Sequence, residues 1–279
     1  MFSTVNVVPA KLNCPLCGEQ SVKALLSKPK NFQVYICTSC KLGQTIPYPE
    51  ESNGQEYFSN SDEYFANHYA TNQEIWHKFM AFLLDRARPY VTSGAMLDIG
   101  TGIGFMLELA QERGFKAMGI EPSPAATRYA REKLHLEVFQ AHFPAPELEG
   151  KQFNLITMSH VLEHVPDPIN FLIEVKAHLK PNGIVVITAP SYYSLLTRML
   201  GWRWTGFQPT QHIWQLTPTT AAMLCRRAGL TILEEYSSSL GYVGNSPKIC
   251  IKRFFGAFGA FINLGDQLVI VAKNPSGLS

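Results

Sequence analysis

Apolar and polar positions along this chain switch repeatedly between two periods. Runs 95–99, 115–120, 153–158 and 183–189 are short and nearly continuously apolar, the pattern of strands buried on both faces. Between them, 103–113, 123–133 and 168–179 carry apolar residues at three- and four-residue spacing, the period of a helix with one buried face. Further strands are expected near 136–139, at 230–235 and at 267–272. Thr217 is a plausible N-cap and Pro218 suits a first helical turn, so a helix is expected to run to Ala228, where Gly229 ends it. Strand–helix alternation of this kind predicts the α/β class: a seven-stranded, mostly parallel sheet with helices on both faces. An amphipathic helix over 73–90 leads into the first of these strands. Residues 47–70, with Pro47, Pro49 and Gly54, read as a linker with short helical pieces. Its aromatics Tyr57, Phe58, Tyr64, Phe65 and Tyr69 either fold over a ligand or pack on the main domain. Residues 191–215 read as irregular and aromatic.

The first strand runs straight into a glycine turn, Asp98-Ile99-Gly100-Thr101-Gly102-Ile103-Gly104. Glycines there let the backbone approach a ligand that any side chain would push away. Dinucleotide-binding turns read G-x-G-x-x-G, with a pyrophosphate on the helix N-terminus. Here the glycines alternate and an acid, Asp98, precedes them. An acid would repel a pyrophosphate and suits a ligand carrying an amino group and a sulfonium. Glu121 closes the second strand, at the distance where an acid takes ribose hydroxyls. In open parallel sheets ligands sit beyond the carboxyl ends of the strands. The glycine turn, Glu121, Ser159, His160 and Ala189-Pro190 should therefore meet in one crevice, with 191–215 over it.

These residues resemble motif I of the class I S-adenosylmethionine-dependent methyltransferases. Two further segments support the resemblance. Phe153-Asn154-Leu155-Ile156-Thr157-Met158-Ser159-His160-Val161-Leu162-Glu163-His164-Val165-Pro166-Asp167-Pro168 is similar to the family's fourth strand and following turn. Leu179-Lys180-Pro181-Asn182-Gly183-Ile184-Val185-Val186-Ile187-Thr188 is similar to its helix end, turn and fifth strand. The resemblance implies a Rossmann-like fold over 91–279 with S-adenosylmethionine as cofactor. It implies cofactor contacts at Asp98, Gly100, Thr101, Gly102, Gly104, Glu121, Ser159 and His160. Similar enzymes often place an acid against the adenine, where this chain reads Gln140-Ala141-His142-Phe143; His142 or the local backbone would substitute.

Residues 11–46 form a separate unit. Cys14-Pro15-Leu16-Cys17 and Cys37-Thr38-Ser39-Cys40 are two C-x-x-C knuckles separated by nineteen residues, among which 32–36 alternate like a strand. Such knuckles can hold four thiolates around one zinc, and the unit resembles a zinc ribbon. Four unrelated thiols are the plain alternative. A thioredoxin-like redox role would need one knuckle beside a βαβ unit. So small a unit has little core, so the metal would supply its folding energy. The organisation is then a ribbon at 11–46, a linker and N-terminal helices at 47–90, and the methyltransferase domain at 91–279.

Methyl transfer from a sulfonium is an in-line displacement. The protein must align a nucleophile, exclude water and remove a proton. Imidazole titrates near working pH, and three histidines are candidates: His160, His164 and His212. His212 stands on the segment expected to roof the acceptor pocket. His164 equally fits a turn-stabilising role, and His160 lies nearer the cofactor's methionine end. Sugar C-methyltransferases similar to this chain also begin with a zinc-binding unit. Resemblance to them matches a His to His164 and a Glu-His pair to Gln211-His212, so Gln211 departs from the pattern. Ubiquinone-pathway O-methyltransferases resemble the chain at Leu162-Glu163-His164-Val165-Pro166-Asp167-Pro168. That resemblance implies an alternative in which His160, Glu163 and His164 hold a divalent ion. Trp202 and Trp204 either pack or line the pocket, and Cys225 and Cys250 read as buried core.

Composition narrows the picture slightly. Hydrophobic residues at 46% and charged residues at 16% suit a globular protein with a sizeable core. A net charge of +2 carries no basic stripe; Lys248, Lys252 and Arg253 form only a small cluster, so nucleic acid is not the expected partner. No secretory signal and no apolar stretch of membrane-spanning length is visible, and 254–264, though aromatic-rich, is short. A cytoplasmic enzyme is expected. Its acceptor is expected to be a small molecule, a nucleotide-linked sugar or a lipid-linked precursor among the candidates, with oligomeric state left open. Two rivals stand beside it: an RNA methyltransferase that grips RNA with its ribbon, and a non-catalytic cofactor-binding protein that docks through it.

Overall fold

The computed structural model describes residues 13–20, 22–27, 32–46, 62–204, 206, 208, 211–239 and 247–275. The strand–helix alternation forms as read. Strands β4 (Gly94–Ile99), β5 (Phe115–Ile120), β6 (Val138–Phe139), β7 (Phe153–Ser159) and β8 (Leu179–Pro190) are parallel neighbours in the order β8-β7-β4-β5-β6. Strands β10 (Thr231–Ser238) and β11 (Gln267–Lys273) extend the sheet beyond β8, with β11 antiparallel to both neighbours. This is the expected seven-stranded, mostly parallel Rossmann-like sheet.

Side chains alternate across the pleat, so each strand feeds two cores. Met96, Leu155, Ile184, Val186, Val269 and Val271 face α1 (Asp62–Ala87) and α2 (Phe105–Glu112). Leu97, Ile99, Ile156, Met158, Val185, Ile187, Leu268 and Ile270 face the opposite cluster, with α4 (Pro168–Ala177) and α6 (Pro218–Arg227). Burial on both faces explains the continuous apolar runs. The α1 helix docks through Phe79, Leu83 and Ala87, one helical row four residues apart. It begins well before the expected 73 and takes in Tyr64, Phe65 and Tyr69. Tyr57 and Phe58 lie outside the described residues.

Helix α3 (Pro124–Lys133) is capped by Ser123, whose hydroxyl accepts from the Ala126 N–H. Helix α6 starts as read: Thr217 and Thr220 form a reciprocal capping box, with Pro218 in the first turn. Strand β8 is longer than the expected 183–189 because it absorbs the Pro181-Asn182-Gly183 turn as a wide bulge. Phe153 pairs with Leu179 and Leu155 with Ile184, so β8 makes five residue steps to two on β7. Asn274 clasps this bulge. Its N–H donates to the Gly183 carbonyl, its carbonyl accepts from the Asn182 N–H, and its side-chain amide donates to Leu179 and Lys180 carbonyls.

The N-terminal unit is a small antiparallel sheet of β1 (Val22–Ser27), β2 (Gln33–Cys37) and β3 (Gly43–Ile46). A fourth strand, β9 (Trp214–Gln215), joins it from the other end of the chain. Gly43 permits this approach, because a Cβ there would meet the Gln215 Cβ at 2.6 Å. The expected irregular stretch 191–215 thus contributes β9, together with α5 (Leu195–Leu200) and a 3₁₀ turn at Gly201–Arg203. Helix α7 (Pro247–Phe261) has no counterpart in the sequence reading. It overturns the expectation that Cys250 is core: this thiol is exposed, because it sits on the helix's outer side. Cys225, inside α6, is fully buried as read.

Candidate active site

Strand order reverses at β4, with β5 on one side and β7 on the other, and the glycine turn sits at that switch point. Gly100, Gly102 and Gly104 all take left-handed φ values, 71°, 56° and 100°. A Cβ on Gly100 would meet Val161 Cγ2 at 2.6 Å, so the glycine turn and the turn after β7 lie against each other. The Gly100 and Thr101 N–H groups both donate to the Ile120 carbonyl, fixing the turn to β5.

Glu121 is buried and shapes the crevice. Its Oε2 accepts from the Gly102 N–H at 2.8 Å and its Oε1 from the Ser123 N–H at 2.9 Å. Burial raises its pKa, and those two donors pull it back. Asp98, also buried, accepts from the Thr157 hydroxyl at 2.6 Å. Burial pushes its pKa up to about 7, with the nearby Glu121 charge adding to the rise. Thr157 is the cross-strand partner of Asp98, and a hydroxyl between Ile156 and Met158 in the middle of a buried strand was the signal that could have marked it. The Ser159 hydroxyl, at the end of β7, is buried with no hydrogen-bond partner among the described residues. This donor set fits a nucleoside-bearing ligand: close backbone approach from the turn, a carboxylate at the end of β5, and an unused hydroxyl beside them. His142, considered for the adenine, lies exposed just past β6.

The three histidines converge on Glu163. His160, at φ 57°, places Nδ1 3.6 Å from Glu163 Oε1 and sets its ring edge-on to Trp76, with centroids 5.8 Å apart. His164 places Nε2 3.9 Å from the same oxygen. Its Nδ1 lies 3.0 Å from the Gln211 carbonyl. A carbonyl only accepts, so Nδ1 carries the hydrogen and Nε2 keeps its lone pair. The His164 and His212 rings meet edge to face at 4.9 Å. Ligand atoms of Glu163, His164 and His212 all lie within 4.8 Å of one another. That group contains His212 in place of the His160 expected from the ubiquinone-pathway resemblance.

Burial moves the whole cluster toward its uncharged forms. Desolvation lowers His160 to about 4 and lowers His164. It lowers His212 well below the usual histidine range, with the His164 and His160 charges adding to the effect. Desolvation raises Glu163 to about 8, and neither of its oxygens has a hydrogen-bond partner among the described residues.

The ribbon holds this cluster from behind. The Thr45 hydroxyl donates to the His212 carbonyl at 2.7 Å, and the Thr45 N–H donates to the Ile213 carbonyl at 2.9 Å. From the other side, Ile213 N–H donates to the Glu163 carbonyl, and Trp214 Nε1 donates to the Val165 carbonyl. Thr45 and Trp76 escaped the sequence reading because only tertiary contact connects them to the histidines. Trp204 packs against Val34, Ile36, Tyr192 and Leu196, so it belongs to the ribbon contact. The side chains of Trp202 and Phe207 lie outside the described residues.

In the ribbon itself, Cys14 Sγ lies 3.5 Å from Cys40 Sγ, and Cys17 Sγ lies 3.5 Å from Cys37 Sγ. All four sulfurs fall within 4.8 Å of one another. A tetrahedral zinc with ~2.3 Å bonds needs sulfur–sulfur edges of about 3.8 Å, so the cluster fits that ion with small adjustment.

The family described as methyltransferase domain matches residues 68–235, three-fifths of the chain, and the protein belongs to it. Among curated relatives, the ubiquinone biosynthesis O-methyltransferase of Rhodopseudomonas palustris strain TIE-1 is 34% identical over 96 residues, covering 33% of this chain and 38% of that protein. The mitochondrial enzyme of the same name from Schizosaccharomyces pombe is 31% identical over 122 residues, covering 41% and 44%. The chain thus spans about two-fifths of the length of these relatives. Among solved structures, a chain from the complex of the Haloferax volcanii Trm112 methyltransferase activator with a putative methyltransferase superposes with TM-score 0.60 at 18% identity, covering 78% of this chain and 97% of that one. The plantazolicin methyltransferase BpumL, solved with SAH, gives 0.56 at 17% identity, covering 80% and 94%. These structures share the fold.

Proposed function

We propose that this protein is an S-adenosylmethionine-dependent methyltransferase acting on a small, partly apolar acceptor, with His212 as the base. A nucleotide-linked sugar and a lipid-linked precursor are the acceptor classes put forward. The observation that carries the reading is the convergence of His160, His164 and His212 on Glu163, directly beside the glycine turn.

When bound, S-adenosylmethionine supplies an already activated methyl group. The glycine turn would hold its methionine end and Glu121 its ribose hydroxyls, with Ser159 and His160 lining the same crevice. His212 accepts the acceptor's proton, freeing that electron pair to form the new bond to carbon while the sulfur keeps the pair of the bond that breaks. Imidazolium is disfavoured in so buried a place, so the proton passes on through His164 and Glu163 to solvent. The four cysteines hold zinc as a structural ion, and the ribbon it stabilises keeps His212 in place through Thr45 and β9.

A second reading is favoured by the unpartnered Glu163 carboxylate. A divalent ion held by Glu163, His164 and His212 would satisfy it and would lower the pKa of an acceptor hydroxyl. Activity that survives chelation at unchanged rate would remove this reading.

The decisive experiment is a methylated-product screen by mass spectrometry, with labelled cofactor and cell extracts as the acceptor pool. A labelled small molecule that disappears with the His212→Ala protein is the expected result. Cofactor binding with no labelled product from any fraction would favour a non-catalytic binding protein. A salt-sensitive gel shift with RNA would favour the RNA methyltransferase.

A further inference from the structure

Helix α7 turns an apolar stripe outward. Ile251, Phe254, Phe258 and Phe261 recur at three- and four-residue spacing, with Ile262 just beyond. Their exposures are 53%, 66%, 46%, 87% and 41%. The Phe254 and Phe258 rings lie parallel, with centroids 6.3 Å apart. The opposite side of the helix is well anchored. Phe255 packs on the cluster of Val34, Ile36, Tyr192, Leu196 and Trp204, and Gly256 and Gly259 are buried. A Cβ on Gly259 would meet the Leu264 carbonyl oxygen at 2.6 Å and Leu195 Cβ at 3.3 Å, so the glycine allows α7 to seat closely against α5. The outward phenylalanines are therefore a fixed surface. Water-exposed aromatics at this density on one helix face mark an interaction site.

The charge around the stripe says what kind of site. Residues 195–203 and 247–261 carry Arg198, Arg203, Lys248, Lys252 and Arg253 and no acid. From 175 to 266 the acids are Glu234, which accepts from the Tyr90 hydroxyl, Glu235, which pairs with Arg226, and Asp266, which is buried. Exposed Tyr193 and Met199 flank this region, and the Arg198 guanidinium stacks 4.6 Å over the Tyr193 ring. A phenylalanine face bordered by cations and lacking acids is the composition of a helix that lies in a lipid interface. Two copies meeting through this face would bring like charges together, which argues against self-association. No helix among the described residues is long and apolar enough to cross a membrane, so α7 would lie on the surface rather than span it.

We infer that the α7 face binds the surface of an anionic lipid bilayer, inserting Phe254, Phe258 and Phe261 among the headgroups while Arg198, Arg203 and Arg253 meet their negative charge. This goes beyond the methyl-transfer reading and is tested without cofactor or acceptor.

The test is flotation of the full chain with phosphatidylcholine vesicles and with equimolar phosphatidylcholine–phosphatidylglycerol vesicles. The protein should float with the mixed vesicles and not with phosphatidylcholine alone, and salt should weaken the binding. The Phe254→Ser/Phe258→Ser/Phe261→Ser variant should lose at least about tenfold in affinity, and Arg253→Gln severalfold. An unchanged circular-dichroism spectrum and thermal midpoint would certify the triple variant's fold. Should that variant misfold, Phe261→Ser, at the most exposed position, serves in its place. Failure of the wild type to float with mixed vesicles would overturn the inference. So would equal binding to neutral vesicles, or undiminished binding by the phenylalanine variants. A dimer in solution that the triple variant converts to monomer, without lipid binding, would reassign the face to self-association and overturn it equally.

Discussion

The glycine-turn crevice, proposed for the cofactor, and the histidine cluster, proposed for the acceptor, lie next to each other, yet the chain builds them in opposite ways. The first is local. Gly102 and Glu121, joined by a hydrogen bond, are 19 residues apart, and Ser123 and Glu121 only two. The second is assembled from distant pieces. Thr45 reaches His212 across 167 residues, and Tyr192 reaches the Lys41 carbonyl across 151. A short stretch with the right glycines is enough to specify a cofactor cradle. An acceptor site needs the ribbon, the turn after β7 and the segment before α6 to arrive together. The acceptor side is accordingly the part that can be altered without disturbing the other.

Four experiments would break or sharpen that contrast. Gly102→Val places a branched side chain at a left-handed φ of 56° inside the cradle. Adenosylhomocysteine affinity should fall at least about a hundredfold by calorimetry; unchanged affinity would remove the cradle from the argument. His212→Ala should lower kcat by roughly a hundredfold or more, with cofactor affinity within about twofold of wild type; normal turnover would eliminate this base. Cys37→Ser should release the metal from the ribbon, read by elemental analysis, and lower turnover through β9 while leaving cofactor affinity intact. Retained stoichiometric zinc would contradict the ribbon assignment, and lost zinc with full turnover would cut its connection to His212. Thr45→Val should reduce kcat severalfold by releasing the His212 carbonyl, and Thr45→Ser should restore it. Equal loss in both variants would point to packing instead of the hydroxyl.

The smallest effect concerns pH and the cofactor side alone. Asp98 has a folded pKa of about 7, above its ordinary carboxylate value. Stability from the protonated, buried form is therefore complete below the ordinary carboxylate pKa and is lost as pH rises through about 7. Asp98→Asn should flatten this dependence, so its thermal midpoint relative to wild type should rise between acidic and mildly alkaline buffer. A constant offset would show that Asp98 does not titrate in that window.

Legibility in the sequence followed the same division. Asp98, the three glycines and Glu121 could be read because turn chemistry and strand ends are written in adjacent residues. The Thr217–Pro218 start of α6 was equally plain. His160, Glu163 and His164 could be grouped because they stand within five residues, but the arrival of His212 at Glu163 could not, since nothing in the spacing of 163 and 212 encodes a contact. Strand β9 was invisible because two residues carry no period, and its pairing partner lies in the ribbon. Helix α7 was missed because Gly256 and Gly259 are poor helix formers and its outer face is aromatic where a polar face would be expected. Cys250 was misjudged with it, its apolar neighbours suggesting a core that the helix does not enter.

The Asn274 clasp has a practical consequence. One residue, through its side chain and its own N–H and carbonyl, satisfies four backbone groups that the widened turn of β8 would otherwise leave bare. Shortening the chain ahead of this asparagine would strip hydrogen bonds from a strand in the middle of the sheet, while a purification tag attached after residue 275 leaves them untouched. Asn274→Asp is the subtler injury: it trades an amide donor for an oxygen that can only face two carbonyls, turning a fastener into a wedge.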